Sequence, residues 1–308
     1  MKRLRGLIVG ATVIALIGLA LVLLFGEDEQ GCALDLGALE APGCTTLASD
    51  TAAVASPIPL WRRIECVSER RQQRPATGGD AAPTATRAPQ GNDAYRRITV
   101  LDGDNFDGER CELGRNELTD TFQVYGEGER RITFISYRIP LNLVLEDDVQ
   151  QAVMQMKQAE PSDFEGGTPM LSLHARDGGW ELWRSDTNGE ISRSSEIWST
   201  PAEERIWTRI ALDVTYSQDP AIGRITLYID ANGDGDAIDG GEQSPTFETS
   251  TLKVEPEGSD DDGLSAGDSI PSHLRVGLYH EPEAPCPAPS GCSVEIDNVQ
   301  VIDPVADG

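Results

Sequence analysis

The chain has 308 residues, 39% of them hydrophobic, which is enough to bury one large core or two modest ones and too much for a disordered chain. Its 52 acidic against 25 basic residues give a formal charge of -27, which argues against non-specific attraction to nucleic acid or to an anionic membrane surface. An anionic ligand therefore needs a local basic groove, and because Lys2, Lys157 and Lys253 are the only lysines, arginine must supply nearly all of its cations.

The N-terminus carries Lys2, Arg3 and Arg5 ahead of an uncharged run from Gly6 to Gly26. About 20 residues suffice to cross a bilayer at helical rise, so this run is long enough. The basic flank predicts a cytoplasmic N-terminus and export of the remainder. No small-residue cleavage site follows, and E-Q-G-C around Cys32 lacks the residues of a lipoprotein box. Residues 1–26 read as an uncleaved anchor helix, with a cleaved signal peptide as the alternative. The protein is thus expected outside the cell or at its surface, meeting the membrane through this segment alone. Six cysteines fit an oxidising compartment, and none has zinc-site spacing. The expected pairs are Cys32 with Cys44, Cys66 with Cys111, and Cys286 with Cys292.

Residues 27–59, rich in Ala, Gly, Thr and Ser, read as a stalk. Within 60–94, L-W-R-R-I-E-C-V is a possible first strand and the rest a long polar loop. From Tyr95 the texture changes, and 95–304 reads as one domain. Short runs rich in Val, Ile, Thr, Tyr and Trp recur between turn signals: Ile98–Leu101, Arg110–Leu113, Arg131–Ile139, Met170–Ala175, Trp180–Arg184, Trp207–Tyr216, Arg224–Asp230, Leu274–Tyr279 and Ser293–Ile302. Their number without long helices between them predicts an all-β antiparallel sandwich or jelly roll. Glu146–Glu160 stays open. Its composition favours helix, while Val149, Gln151, Val153, Gln155 and Lys157 alternate against Gln150, Ala152, Met154 and Met156 as in a strand.

The stretch D-G-E-R-C-E-L-G-R-N-E, Asp107–Glu117, laid out as a strand, puts Cys111 and Leu113 on one side and Arg110, Glu112 and Asn116 on the other. That polar face is either a solvated sheet surface or the wall of a site. The ordered set R-C-E-L-G-R (Arg110–Arg115), Y-R-I-P (Tyr137–Pro140), M-Q-M-K (Met154–Lys157), W-T-R-I-A-L-D-V-T-Y-S, H-L-R-V-G-L-Y (His273–Tyr279) and E-I-D-N-V (Glu295–Val299) resembles the jelly-roll polysaccharide lyases. The nearest likeness is to the heparin lyase type I-like group, with glucuronan and alginate lyases more distant. The resemblance implies a concanavalin-like β-jelly-roll sandwich of two antiparallel sheets. It also implies a monomer acting on a uronate-containing acidic polysaccharide without a required cofactor.

That family carries R-x-E, Q-x-H and K-x-x-x-Y motifs on its concave sheet. Arg110 and Glu112 match the first, Gln155 the glutamine of the second, and Tyr279 the tyrosine of the third, with Arg275 in place of the lysine. Lys157 stands where the histidine is expected. Elimination from a uronate needs its carboxylate neutralised, so that the C5 proton becomes acidic and the enolate-like charge is stabilised. It also needs a base at C5 and an acid at the leaving oxygen. A tyrosine can serve both steps on one face of the sugar when cations favour its ionised form. On the resemblance, Tyr279, Lys157, Gln155 and Arg110 are the catalytic residues, with Glu112, Arg275, Asn116 and His280 binding substrate or assisting. The competing readings are an ordinary surface ion pair of Arg110 with Glu112, a glycan-binding module that does not cut, and a calcium-stiffened surface domain.

His174, opposite Leu171 and Leu173 along a strand, could line the same groove or be a bystander. Trp180 and Trp183 point to opposite faces, which allows one core residue and one that stacks on a sugar ring. D-A-N-G-D-G-D-A-I-D has the alternating oxygen ligands and sixth-position glycine of an EF-hand loop, with Asp230, Asn232, Asp234, Asp236 and Asp239 as ligands. Position twelve is Gly241 instead of glutamate, so the segment is either a plain hairpin turn or a turn stiffened by structural calcium.

Overall fold

The computed structural model describes residues 34–41, 45–50, 63–67, 72–73, 95–104, 108–114, 124–143, 145, 149–159, 168–186, 193–257, 264–281 and 286–304. These residues form strands and connections with no helix, in two main antiparallel sheets. The first runs in the order β14 (Phe247–Glu248), β13 (Arg224–Ile229), β12 (Trp207–Thr215), β7 (Arg130–Arg138), β18 (Cys292–Asp303), β4 (Arg96–Val100) and β3 (Gln72–Gln73), with β1 (Thr45–Asp50) also paired to β18. The second runs β11 (Ser194–Pro201), β10 (Gly179–Ser185), β9 (Leu171–Arg176), β8 (Gln151–Gln158), β17 (Ser272–His280), β5 (Glu109–Gly114) and β2 (Arg63–Cys66), with β6 (Val124–Tyr125) against β17. Two short strands, β15 (Lys253–Val254) and β16 (Ser269–Ile270), make a separate ribbon.

Period-two alternation sets which faces meet. Ile98, Val100, Ile135, Tyr137, Ile210, Leu212 and Val294 of the first sheet share one core with Cys111, Leu113, Met154, Met156, Leu171, Leu173, Trp180, Val276 and Leu278 of the second. Burying side chains of this size contributes about 1.5–3 kcal/mol each before conformational entropy is charged against it. The two sheets therefore form a sandwich, and the remaining alternate residues of the second sheet face outward. Among the described cysteines, Cys66 is joined to Cys111, tying β2 to β5, and Cys286 to Cys292. Cys32, Cys44, Asn116, the 1–26 segment and most of 27–94 lie outside the described residues.

Within Glu146–Glu160, Gln151–Gln158 form β8, paired on both sides, so sheet contacts override the helical propensity of these residues. The strand also departs from simple alternation. Its register shifts between Ala152 and Met154 against β9, and β17 shifts opposite it between Val276 and Tyr279. This bulge puts Val153 into the core beside Met154 and Met156, away from Gln155 and Lys157, with which strict alternation had grouped it. The buried Tyr137 hydroxyl crosses from the first sheet to donate to the Val153 carbonyl at 2.9 Å. On β17, Gly277 has φ +155, and a Cβ there would lie 2.3 Å from the Cys111 carbonyl oxygen. Glycine is what lets β17 lie this close to β5 beside Glu112.

Candidate active site

The outward face of the second sheet collects polar residues from six strands. Across one row of the ladder, Arg110 of β5 stands opposite Tyr279 of β17, Tyr279 opposite Ala152 of β8, and Ala152 opposite His174 of β9. Across another, Arg275 pairs in register with Gln155, and Gln155 with Ser172. Neighbouring strands lie about 4.8 Å apart, so these rows bring together residues that are up to 169 positions distant in sequence, as Arg110 and Tyr279 are.

Arg110, Glu112, Gln155, Lys157, Arg275 and Tyr279 form one cluster, in which all but the half-buried Tyr279 are buried. Gln155 Nε2 donates to Glu112 Oε1 at 2.5 Å, and Arg110 Nη1 lies 3.7 Å from Glu112 Oε2. The Arg110 guanidinium carbon is 4.2 Å from the centre of the Tyr279 ring. Gly108 also packs against that tyrosine, where an added Cβ would fall 2.7 Å from Tyr279 Cε2. Burial, opposed by Arg275 and Arg110, raises the Glu112 carboxyl pKa. Burial first, then the charge of Arg275, brings the Lys157 amine down to about 8.

Glu65 is the member that the sequence did not offer. Buried on β2 opposite Glu112, it accepts through Oε2 from Arg275 Nη1 at 2.7 Å and from Arg110 Nη1 at 3.2 Å. Its neighbour Cys66 is disulfide-bonded to Cys111, so a covalent bond fixes where Glu65 meets the two arginines. The cluster then holds three cations, Arg110, Lys157 and Arg275, against two carboxylates, Glu65 and Glu112. Among the described residues this part of the face thus gathers three cations in a chain whose net charge is strongly negative.

Other candidates are placed elsewhere. His280 follows Tyr279 along β17 and so points to the opposite face. Its Nδ1 sits 3.4 Å from Glu109 Oε2, and the imidazole and the Cys286 and Cys292 sulfurs lie within 4.8 Å of one another. Those sulfurs are bonded to each other, so the three do not form a metal site. His174 does lie on the outward face, where Nε2 and the Ser172 hydroxyl share a 2.8 Å hydrogen bond and the ring stacks 5.5 Å from Trp183. Burial, then Arg176, lowers its pKa to about 3, so it is neutral at ordinary pH. Trp180 is in the core, whereas Trp183 is half-buried on the outward face, with Nε1 donating to Glu181 at 2.7 Å and the Arg176 guanidinium over its ring at 5.3 Å. Asp230, Asn232, Asp234, Asp236 and Asp239 follow β13 in the other sheet, apart from this cluster.

Comparison with known proteins gives the same direction. No curated protein matches the chain. Among solved structures it is similar to the endo-β-1,4-glucuronan lyase of the fungus Trichoderma reesei, with a TM-score of 0.55 and 14% identity over 85% of this chain and 98% of that one. It is also similar to alginate lyase A1-II′ of polysaccharide lyase family 7, with a TM-score of 0.40 and 10% identity over 71% and 83% of the two chains. At these identities the likeness to the glucuronan lyase is one of fold. The family model described as polysaccharide lyase matches residues 63–300, a span that contains every described member of the outward cluster. On the strength of that match over most of its length, the chain belongs to the polysaccharide lyase family.

Proposed function

We propose that this protein cleaves a uronate-containing polysaccharide by β-elimination on the outward face of its second sheet. The observation that carries the reading is the gathering of Arg110, Arg275, Lys157 and Gln155 beside the half-exposed Tyr279. A substrate carboxylate is held by Arg110, Arg275 and Lys157, with Gln155 as an amide donor. With that carboxylate neutralised, the Tyr279 oxygen, as phenolate, takes the C5 proton. The C5 electron pair forms the C4–C5 double bond, the C4–O4 bond breaks, and the tyrosine returns the proton to the leaving oxygen. Glu112 and Glu65 hold the two arginines in place and touch no reacting atom.

The strongly negative net charge of the chain suits a polymer with one carboxylate per sugar, such as a glucuronan or an alginate, better than the densely sulfated chains of the heparin lyase-like group, which it repels more strongly at long range. Likeness of fold to a glucuronan lyase supports the same choice. The basic N-terminal flank and uncharged run support action outside the cell, with the chain held by that segment. The second reading, a module that binds the glycan without cutting it, is favoured by Lys157 standing where the family has histidine. The test is to incubate the full chain with a panel of polyuronates and follow the ultraviolet absorbance of the unsaturated product. Absorbance growth lost in Tyr279→Phe supports the lyase. Glycan binding without absorbance growth on any substrate assigns the module.

A further inference from the structure

The outward face of the first sheet takes no part in the chemistry above. A cavity of about 330 Å³ lies against it, walled by residues 39–41 and by strands β7, β12 and β18. Segment 34–41 is fixed onto the sheet on one side of it: Leu39 is buried against Ile132, Ala211 and Ala237, and its carbonyl accepts from Arg209 Nη2 at 2.8 Å. The sheet side is set by cross-strand register. Phe134 of β7 stands opposite Gln300 of β18, and Ser136 of β7 opposite Arg209 of β12, so an aromatic ring, an amide and a hydroxyl line one cavity.

A break in β18 adds a second amide. Ile296 and Val299 both belong to the core, and between them the pairing with β7 shifts register, from Asp297 to Gln300. Asn298 takes φ +52 in this bulge, a left-handed conformation that asparagine adopts more readily than most residues, and it lines the cavity. It is 7% exposed, and both its Oδ1 and its Nδ2 are buried without a hydrogen-bond partner. Buried amides are ordinarily hydrogen-bonded, so this one calls for a partner that the chain itself does not supply.

The charges on the walls narrow what that partner is. Arg209 is the only cation among the described lining residues, and its guanidinium is engaged by main-chain carbonyls, that of Gly235 at 2.9 Å and that of Leu39. The exposed Glu40 lines the same cavity. A carboxylate or phosphate would find no free counter-charge there and would meet Glu40, while a purely apolar ligand would leave Asn298 unsatisfied. An uncharged ring bearing hydroxyls meets both conditions. Its hydroxyls can donate to and accept from Asn298, Gln300 and Ser136, and its C–H face can cover Phe134. The volume is at the lower end of the ~300–1,000 Å³ of small-molecule sites, which suits a single sugar unit better than a chain of them.

We propose that this cavity binds a neutral sugar unit, at a site separate from the uronate-binding face. Packed sheets lie about 10 Å apart, and the two sites open on opposite sides of the sandwich, so occupancy of one leaves the other free. The site would hold the protein on a mixed glycan by its uncharged sugars, whether or not the second sheet cuts the uronates.

The test titrates the full chain with D-glucose, D-galactose, D-mannose and D-xylose, read by ligand-observed nuclear magnetic resonance, with D-glucuronate as competitor. At least one neutral sugar is expected to bind, and glucuronate is expected not to displace it. Asn298→Gly removes the amide while keeping the left-handed backbone, and Gln300→Ala alters a half-buried wall outside the uronate cluster; each should weaken binding by about tenfold. No binding of any of the four sugars at tens of millimolar overturns the proposal. Displacement by glucuronate places the sugar on the other face and overturns the assignment, as does unchanged affinity in folded Asn298→Gly and Gln300→Ala chains.

Discussion

Glu65→Gln distinguishes a built carboxylate site from a chance meeting of charges. One oxygen of Glu65 accepts from Arg275 at 2.7 Å and from Arg110 at 3.2 Å, with all three side chains buried. The amide keeps an acceptor but removes the charge that Arg275 and Arg110 share. Breaking a buried pair costs about 3–5 kcal/mol, and the retained acceptor places this substitution near the lower figure. Each kcal/mol moves the melting temperature of a domain this size by about 2–4 °C, so a loss of about 6–12 °C is expected. The arginines would also lose the anchor that aims them at a substrate carboxylate. Misplacement by an ångström costs about 100-fold in rate, so kcat/KM on a polyuronate should fall by roughly that factor, and Glu65→Asp should recover part of it. Thermal melts and initial rates of product absorbance, measured below the lowered melting temperature, read the two effects separately. A purely structural role would lower the melt and leave kcat/KM of the folded chain unchanged, which refutes the positioning argument. Unchanged melting would refute the energetic one.

Lys157 makes a prediction in pH. Its amine falls from 10.5 to about 8 on folding, chiefly through burial. Between about pH 8 and 10.5 the unfolded chain binds more protons than the folded one, so the Lys157 contribution to stability rises with pH through that window and is smallest below it. The protonated form is the one that neutralises substrate, so kcat/KM should decline above about pH 8, and Lys157→Arg should abolish that decline. Identical rate profiles for the two proteins would contradict the role. Gly108→Ala should disturb Tyr279, because the new Cβ at φ +101 would sit 2.7 Å from the ring. Lower kcat with an intact circular dichroism spectrum is expected, and unchanged kcat would show that the ring tolerates displacement.

The strands of the sandwich were legible where one face is apolar, as in Arg131–Ile139 and Trp207–Tyr216, because burial of one side imposes period two. Ser194–Pro201 was not. It is an edge strand, mostly exposed or half-buried, and carries no apolar stripe. For Glu146–Glu160, the composition pointed to helix and simple alternation put Val153 on the wrong side. Only the bulge, set by pairing with strands far away in sequence, decides both. The split of Trp180 and Trp183 between faces followed from spacing alone. Glu65 was hidden because it belongs to a four-residue strand and its partners lie 45 and 210 residues away. The one signal available was the expected Cys66–Cys111 pair, which places Glu65 beside Glu112. His280 was grouped with Tyr279 by adjacency, yet consecutive strand residues face opposite ways.

The central claim is that the outward cluster of β5, β8 and β17 performs an elimination, with Tyr279 moving the proton. The most direct measurement is the rate of ultraviolet absorbance growth on a polyuronate by the full chain and by Tyr279→Phe, with glycan binding by both measured in parallel. The account predicts growth for the wild type, none for the variant, and binding retained by both. Equal growth in the two proteins would contradict it.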